Sequence, residues 1–325
     1  MSPIIEIKEL TKRFTTPALA GRARERIAVN NISFNIEGGE IFGLVGPNGA
    51  GKTTTMRMLV TLLKPDHGEI FVGGYSIRNK PNEVRRQIGF MPDSFGVYGD
   101  MTVQEYLDFF GACYKIHPNQ RAHLITDLLD LVDLGHRRND MVDTLSTGLK
   151  QRLGLARVLI HDPGILVLDE PASGLDPRAR VEIRELLLEV ARLGKTILFS
   201  SHILADVGEL CTRVGIIEDG KLVALGTLQQ LSEHVMPHRQ LHIGLLGREE
   251  EAQIMLQSVA GVSEVRAVND TTTRVSLEVD FIGDDEAIHQ LLANLLAQGF
   301  PVIHFSEETK NLEEVFMRTT KGIVS

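Results

Sequence analysis

The chain has little cysteine, no long apolar run and no excess of positive charge, and each shortage closes off a class of function. Cys113 and Cys211 are the only cysteines. They give neither a metal-binding spacing nor a disulfide framework, which fits a reducing compartment. Both thiols are expected in packed core. No apolar stretch approaches the ~20 residues that a membrane span needs. The first residues meet Glu6 and Glu9 before any long apolar stretch, so no secretory signal is read there. A soluble chain is expected, with any membrane role supplied by a partner. The 34 Lys and Arg stand against 43 Asp and Glu, a formal net charge of −9. An acidic chain is a poor general binder of nucleic acid or anionic lipid. Internal repeats and low-complexity tracts are absent as well.

At 325 residues the chain exceeds what one compact core usually holds, so two domains are expected. Through residue 234, strand and helix patterns alternate. Ile32, Phe34 and Ile36 alternate with polar residues, and Ile41 to Val45 read as a strand buried on both faces. A helix is expected from Thr53 to about Leu63, stopped near Pro65. Thr102 with Glu105 reads as a capping box. Ser146 opens another helix, and Asp176-Pro177 reads as the N-cap and first-turn proline of a long helix ending at Gly194. Thr196 to Phe199 is a further buried strand, and Asp219-Gly220 is the turn of a hairpin over residues 214–226. Parallel strands with helical crossovers give an α/β sheet. Residues 93–160 read as a helical insertion in it. Beyond a boundary at residues 234–235, near Pro237, the order becomes β-α-β-β-α-β, a ferredoxin-like α+β pattern over residues 235–325. Its hairpin turns around Asn269-Asp270, Ile288, Leu291, Leu292 and Leu295 share one helix face, and a last helix runs from about Leu312 to Thr320.

Ile165-Leu166-Val167-Leu168 runs straight into Asp169 and Glu170. Two adjacent carboxylates at the end of a buried strand are costly unless something there needs negative charge. The stretch Gly46-Pro47-Asn48-Gly49-Ala50-Gly51-Lys52-Thr53-Thr54 supplies the reason. Its spacing is that of a phosphate loop. The glycines let backbone N–H groups close around phosphate oxygens, and the helix that follows aims its positive end at them. Lys52 would reach the β and γ phosphates, and the Thr53 hydroxyl would ligate Mg²⁺. Asp169 can hold the Mg²⁺, directly or through water. Glu170, facing the other way, can polarise a water for attack on the γ-phosphate. ATP and Mg²⁺ are the expected ligands.

Further motifs follow in order: Leu145 to Arg152 (LSTGLKQR), Ile165 to Pro171 (ILVLDEP), Ser173 to Asp176 (SGLD) and Ser200 to His202 (SSH). With the phosphate loop, they make residues 4–230 resemble the ATP-binding-cassette (ABC) ATPases. The fold implied is a P-loop NTPase cassette with a helical insertion, followed by the smaller C-terminal domain. GPNGAGKTTT and the C-terminal LEEVF are most similar to ATPase subunits of bacterial drug exporters. The resemblance implies that Ser146, Thr147 and Gly148 meet the γ-phosphate of an ATP held by a second subunit. It implies that Asp176 passes between the subunits, and that His202 hydrogen-bonds the γ-phosphate. Thr147 and Leu149 depart from the usual glycine and glutamine of that signature. Asp93 stands where the family usually has glutamine; it still offers an oxygen to Mg²⁺ or water, with shorter reach. Phe14 stands where an aromatic ring stacks on adenine, although a core or surface ring is an equal reading. The longer segment after it carries Arg22, Arg24 and Arg26 and reads as a solvated loop.

The partners implied are a second copy or a related ATPase subunit, paired head to tail, and an integral membrane permease docked by residues 93–140. The aromatic residues of that segment, Phe95, Tyr98, Tyr106, Phe109 and Phe110, read mostly as packed core. The function implied is ATP hydrolysis driving an exporter from the cytoplasmic face of a membrane, with no nucleic acid partner. One competing reading is a soluble ABC ATPase acting on ribosomes or DNA; the single cassette, the absence of heptads and the acidic charge oppose it. Another is an ATP sensor with little turnover, which Glu170 opposes and Asp93 leaves open. A dimer-supporting or regulatory role is implied for the C-terminal domain.

Overall fold

The computed structural model describes residues 3–16, 24–94, 96, 99–235, 239–269 and 275–307. The chain divides into two compact units between Leu228 and Gln229.

The first unit opens with a long antiparallel pair, β1 (Ile5–Thr16) and β2 (Arg24–Ile36). Next comes β3 (Ile41–Val45), buried throughout, which runs into the phosphate loop and α1 (Lys52–Leu59). β4 (His67–Val72) and β5 (Tyr75–Ser76) complete an antiparallel sheet in the order β2-β1-β4-β5. α2 (Pro81–Gln87) leads to β6 (Ile88–Met91). Three helices follow, α3 (Val103–Cys113), α4 (Pro118–Leu131) and α5 (Thr147–Leu159). The chain then returns to the sheet with β7 (Ile165–Asp169), α6 (Pro177–Arg192), β8 (Thr196–Ser201) and α7 (Leu204–Leu210). It ends with the hairpin β9 (Arg213–Glu218) and β10 (Lys221–Gly226), after which α8 (Leu228–Val235) leads into the second unit.

The second sheet has the order β10-β9-β3-β8-β7-β6, parallel from β9 to β6 with β10 antiparallel at one edge. Strands buried on both faces must be apolar throughout, and IFGLV and ILVL are. This order sets the C-terminal ends of β3, β8 and β7 side by side, where open α/β sheets bind ligands. Ile5, Ile7, Phe34, Phe42, Met56, Leu59, Ile70 and Val167 belong to one continuous core.

The capping box is present: Thr102 Oγ1 accepts from the Glu105 N–H, and the Glu105 carboxylate accepts from the Thr102 N–H. Helix α6 stops before Gly194, whose φ of 85° favours glycine. Helix α1 is shorter than its apolar pattern suggests. Thr61 takes φ 65°, and the N–H groups of Leu62 and Leu63 turn back to the Arg57 carbonyl, closing the helix four residues before Leu63. Cys113 is exposed, at the solvent-facing end of α3, rather than packed. Tyr106 is fully buried, as a core ring should be, while Phe109 is exposed. Phe95 and Tyr98 lie outside the described residues.

The second unit runs β11 (Arg239–Leu245), α9 (Glu249–Gln257), β12 (Val262–Asn269), β13 (Val275–Phe281), α10 (Asp285–Ala297) and β14 (Val302–Glu307). Its sheet is antiparallel, in the order β12-β13-β11-β14. The first and third strands are central and the second and fourth are outer, the ferredoxin-like arrangement. Three glutamates occupy the first turn of α9, where the helix dipole favours them. Asp284 caps α10 by accepting from the Ala287 N–H at 2.9 Å. Leu291 and Leu295 pack with Leu241, Ile243, Leu277, Val279 and Phe281. Pro237, Asp270 and the helix expected from Leu312 to Thr320 lie outside the described residues.

Candidate active site

The phosphate loop joins β3 to α1 by a path that only glycine can follow at key points. Gly49 and Gly51 have φ of 82° and 111°. A Cβ on Gly46 would lie 2.1 Å from the Ile217 carbonyl oxygen, and one on Gly51 would lie 2.5 Å from that of Ala28. The hairpin turn braces the loop from the other side. The Gly220 N–H donates to the Ala50 carbonyl at 2.9 Å, and the Gly220 carbonyl accepts from the Asn30 N–H at 2.8 Å. Lys52 is only 5% exposed. Its ammonium donates to the carbonyls of Gly46 (2.6 Å) and Pro47 (3.3 Å) and lies 3.4 Å from Glu170 Oε1.

Asp169 ends β7 and is 1% exposed. Its Oδ1 accepts from the hydroxyls of Thr53 (3.1 Å) and Ser200 (2.7 Å). The register of β7 and β8 sets Asp169 opposite Ser200. The same Ser200 oxygen accepts from the Glu170 N–H at 3.0 Å. Glu170 has φ 52°, a left-handed conformation that strains a residue other than glycine. This bend, rather than strand alternation, aims the carboxylate. Oε2 lies 2.7 Å from His202 Nδ1 just past the end of β8. Ser200, which the sequence placed only within the SSH motif and gave no role, thus touches both carboxylate residues. The available signal was a hydroxyl at the end of a buried strand beside one that ends in carboxylates.

Thr53 and Asp169 offer hard oxygen donors to one point. Magnesium typically takes one or two carboxylates and completes its shell with substrate phosphates and water, so this donor set fits it. Among the described residues no cluster of three or more His, Cys, Asp or Glu forms a metal cage.

Residues 47–54 of the loop, Glu170 and His202 open on a cavity of about 510 Å³, also lined by Phe14, Arg26 and Asp93. Burial, then the charges of Asp169 and Glu170, push the Asp93 carboxyl above its ordinary range. Phe14 is 42% exposed, with Lys12 Nζ 5.6 Å from its ring centroid. Arg26, expected in a solvated loop, instead lines this cavity on β2 and donates from Nη2 to the Gly49 carbonyl at 3.3 Å. Arg26 is exposed, as expected, but it and Arg24 are strand rather than loop, because β1 and β2 continue as a paired ladder to Thr16 and Arg24. Arg22 lies outside the described residues.

A profile of the ABC transporter family matches residues 29–173, and one of the C-terminal domain of DrrA1-3-like ATP-binding proteins matches residues 226–320. The chain is 32% identical over 298 residues to the linearmycin resistance ATP-binding protein LnrL of Bacillus subtilis, covering 91% of this chain and 94% of that protein. It is 33% identical over 318 residues to the Nod factor export ATP-binding protein I of Burkholderia lata, covering 97% and 96%. The chain belongs to the ATP-binding subunits of ABC transporters. This ATPase subunit also resembles solved cassettes. An ATP-binding subunit of an ABC transporter superposes with a TM-score of 0.60 at 28% identity, covering 71% of this chain and 92% of the other. A dimeric cassette in a post-hydrolysis state, bound to ADP and Pi, gives 0.62 at 25% identity, covering 69% and 98%. The subunit binds and hydrolyses ATP. Among its described residues no helix is long and apolar enough to cross a membrane.

The remaining predicted residues of the ATPase subunit gather elsewhere. Ser146, Thr147, Gly148 and Asp176 line a second open cavity of about 490 Å³. Ser146 Oγ caps α5 by accepting from the Leu149 N–H at 3.4 Å, and Asp176 caps α6 by accepting from the Ala179 N–H at 2.9 Å. This cavity shares no lining residue with the first.

Proposed function

We propose that this chain is the ATPase of an export system and works as a head-to-tail pair on the cytoplasmic face of a membrane permease. The observation that carries the pairing is the separation of two half-sites in one chain. Lys52 and Glu170 line one cavity, and Ser146, Gly148 and Asp176 line the other. A two-fold pair would bring the second cavity of each copy onto the first of the other, completing two sites. Export is suggested by the linearmycin resistance and Nod factor export relatives. The cassette is assigned to residues 1–234, with its helical subdomain at about 93–160, and the accessory domain to 235–325.

In this reading Phe14 stacks on adenine, and Lys52 with the N–H groups of residues 48–54 holds the phosphates. Thr53 and Asp169 would hold Mg²⁺, which neutralises phosphate charge when bound; Asp93 borders that point. Glu170 accepts the proton of the attacking water, and His202 orients its carboxylate. Ser146, Thr147 and Gly148 of the opposite copy close over the γ-phosphate, with Asp176 between the copies.

The test is the oligomeric state of Glu170→Gln with saturating ATP and Mg²⁺. A shift from monomer to dimer supports the pairing. A variant that binds ATP but stays monomeric overturns it. Recovery of a polytopic membrane protein in stoichiometric amount, after mild detergent extraction from native cells, tests the permease; a ribosome or DNA assembly in its place would overturn export.

A further inference from the structure

The β1–β2 ladder carries an arginine into the nucleotide cavity. Its register sets Phe14 opposite Arg26, and both line the cavity that contains Lys52 and Glu170. Directly opposite residues in a ladder lie on one face of the sheet. Arg26 therefore reaches the site by the same route as the ring beside it. Its Nη2 donates to the Gly49 carbonyl at 3.3 Å. A Cβ on Gly49 would lie 3.2 Å from the same nitrogen. The guanidinium thus lies across the phosphate loop where the loop has no side chain.

Two chemical facts define what it does there. The Gly49 carbonyl is neutral and occupies one of the five N–H donors of the guanidinium. Among the described residues no carboxylate pairs with Arg26, whose side chain is exposed and free to turn its remaining donors toward a ligand. A planar cation with spare donors at the wall of a polyanion site is a phosphate ligand. Position selects the phosphate. Lys52 lies deep in the loop beside Glu170, where the terminal phosphates react. Arg26 lies opposite Phe14, on the adenine side of the proposed pose, and reaches the loop at Gly49.

We infer that Arg26 binds the α-phosphate of the nucleotide. This rests on the cavity being the ATP site and adds a ligand that lies outside the phosphate-loop motif. Binding of ATP, ADP and AMP by the full chain at 0.15 M salt, with Arg26→Ala, Arg26→Gln and Arg26→Lys, tests it. Arg26→Ala weakens all three nucleotides by the same factor, about fivefold for a partly exposed charge-assisted contact. Arg26→Gln loses as much as Arg26→Ala, because the amide donates but carries no charge, and Arg26→Lys keeps part of the affinity. Loss confined to ATP would place the group at the γ-phosphate and overturn the assignment. An Arg26→Gln variant with wild-type affinity would make Arg26 a brace for the Gly49 carbonyl instead. Unchanged affinity in all three variants would return it to solvent. A wild-type chain that bound none of the nucleotides would overturn the site itself. Lys52→Ala provides the control for lost binding.

Discussion

The two oxygens of the Glu170 carboxylate bridge two parts of the sheet: Oε2 lies 2.7 Å from His202 Nδ1, and Oε1 lies 3.4 Å from Lys52 Nζ. One group thereby links the phosphate loop to the end of β8. In the proposed mechanism its charge serves proton acceptance, and its shape contributes to the position of His202. Glu170→Gln keeps the shape and removes the basicity. Turnover is expected to fall by about 100-fold or more, the range of a lost general base, while ATP binding persists. Phosphate release and equilibrium nucleotide binding on the same preparation check this. A variant that turned over at the wild-type rate would remove Glu170 as the base.

Ser200 ties the Asp169 carboxylate to the Glu170 backbone through one fully buried hydroxyl. Ser200→Ala leaves the Glu170 N–H and Asp169 Oδ1 each short of a partner, beside a backbone already in a strained conformation. The expected result is a kcat about tenfold lower, corresponding to a loss of about 1.4 kcal/mol, with KM for ATP changed less than twofold. Ser200→Thr retains the hydroxyl and restores most of the rate. Equal losses in kcat and affinity would mark Ser200 as a packing residue only.

Asp93 gives a pH dependence of definite sign. Its raised pKa means that the folded chain holds the proton more tightly than the unfolded chain. As pH rises from the ordinary carboxylate pKa through the raised one, stability falls, and the cost of the ionised group remains at neutral pH. Asp93→Asn removes that cost. Without nucleotide, its unfolding midpoint is expected above that of wild type at pH 7, and the difference shrinks toward pH 4. Thermal melts across that range measure it; a difference that grew on acidification would reverse the assignment.

Gly51→Ala tests the fit of the loop. The residue has φ 111°, and the new Cβ would meet the Ala28 carbonyl oxygen at 2.5 Å. Strain of about 1–3 kcal/mol falls on the loop itself. Nucleotide affinity is expected to drop at least about tenfold while the circular dichroism of the chain is unchanged.

In the second unit, Phe281→Ala deletes a ring that is 1% exposed in the core under α10. A loss of about 3–5 kcal/mol is expected in that unit. Calorimetry should show one transition moved down and the ATP-stabilised transition in place. Lowering of both together would show that the units unfold as one.

The phosphate loop was legible because its chemistry fixes residue types at fixed spacing, and the buried strands because parallel sheets demand unbroken apolar runs. Strand β1 was hidden for a physical reason. Glu9 takes φ 48°, and the register shifts between Ile7 and Leu10 and again before Lys12, which breaks the two-residue alternation. The direction of Glu170 was equally hidden, since a left-handed turn at a glutamate carries no sequence mark. Arg26 lay in a segment read as loop because its partner, Phe14, is paired across residues that show no strand pattern. Cys113 shows the limit of composition: small thiols are usually buried, but this one falls on the solvent side of its helix.

The brace between Gly220 and Ala50 has a consequence for how the protein is made. The phosphate loop is complete in sequence by Thr54, yet its Ala50 carbonyl finds its partner only at Gly220. During synthesis the loop emerges early and then waits for about 170 further residues before it can set. A nascent chain halted before the β9–β10 turn carries the motif without its support. The geometry of the loop thus depends on a contact that only a nearly complete first unit can make.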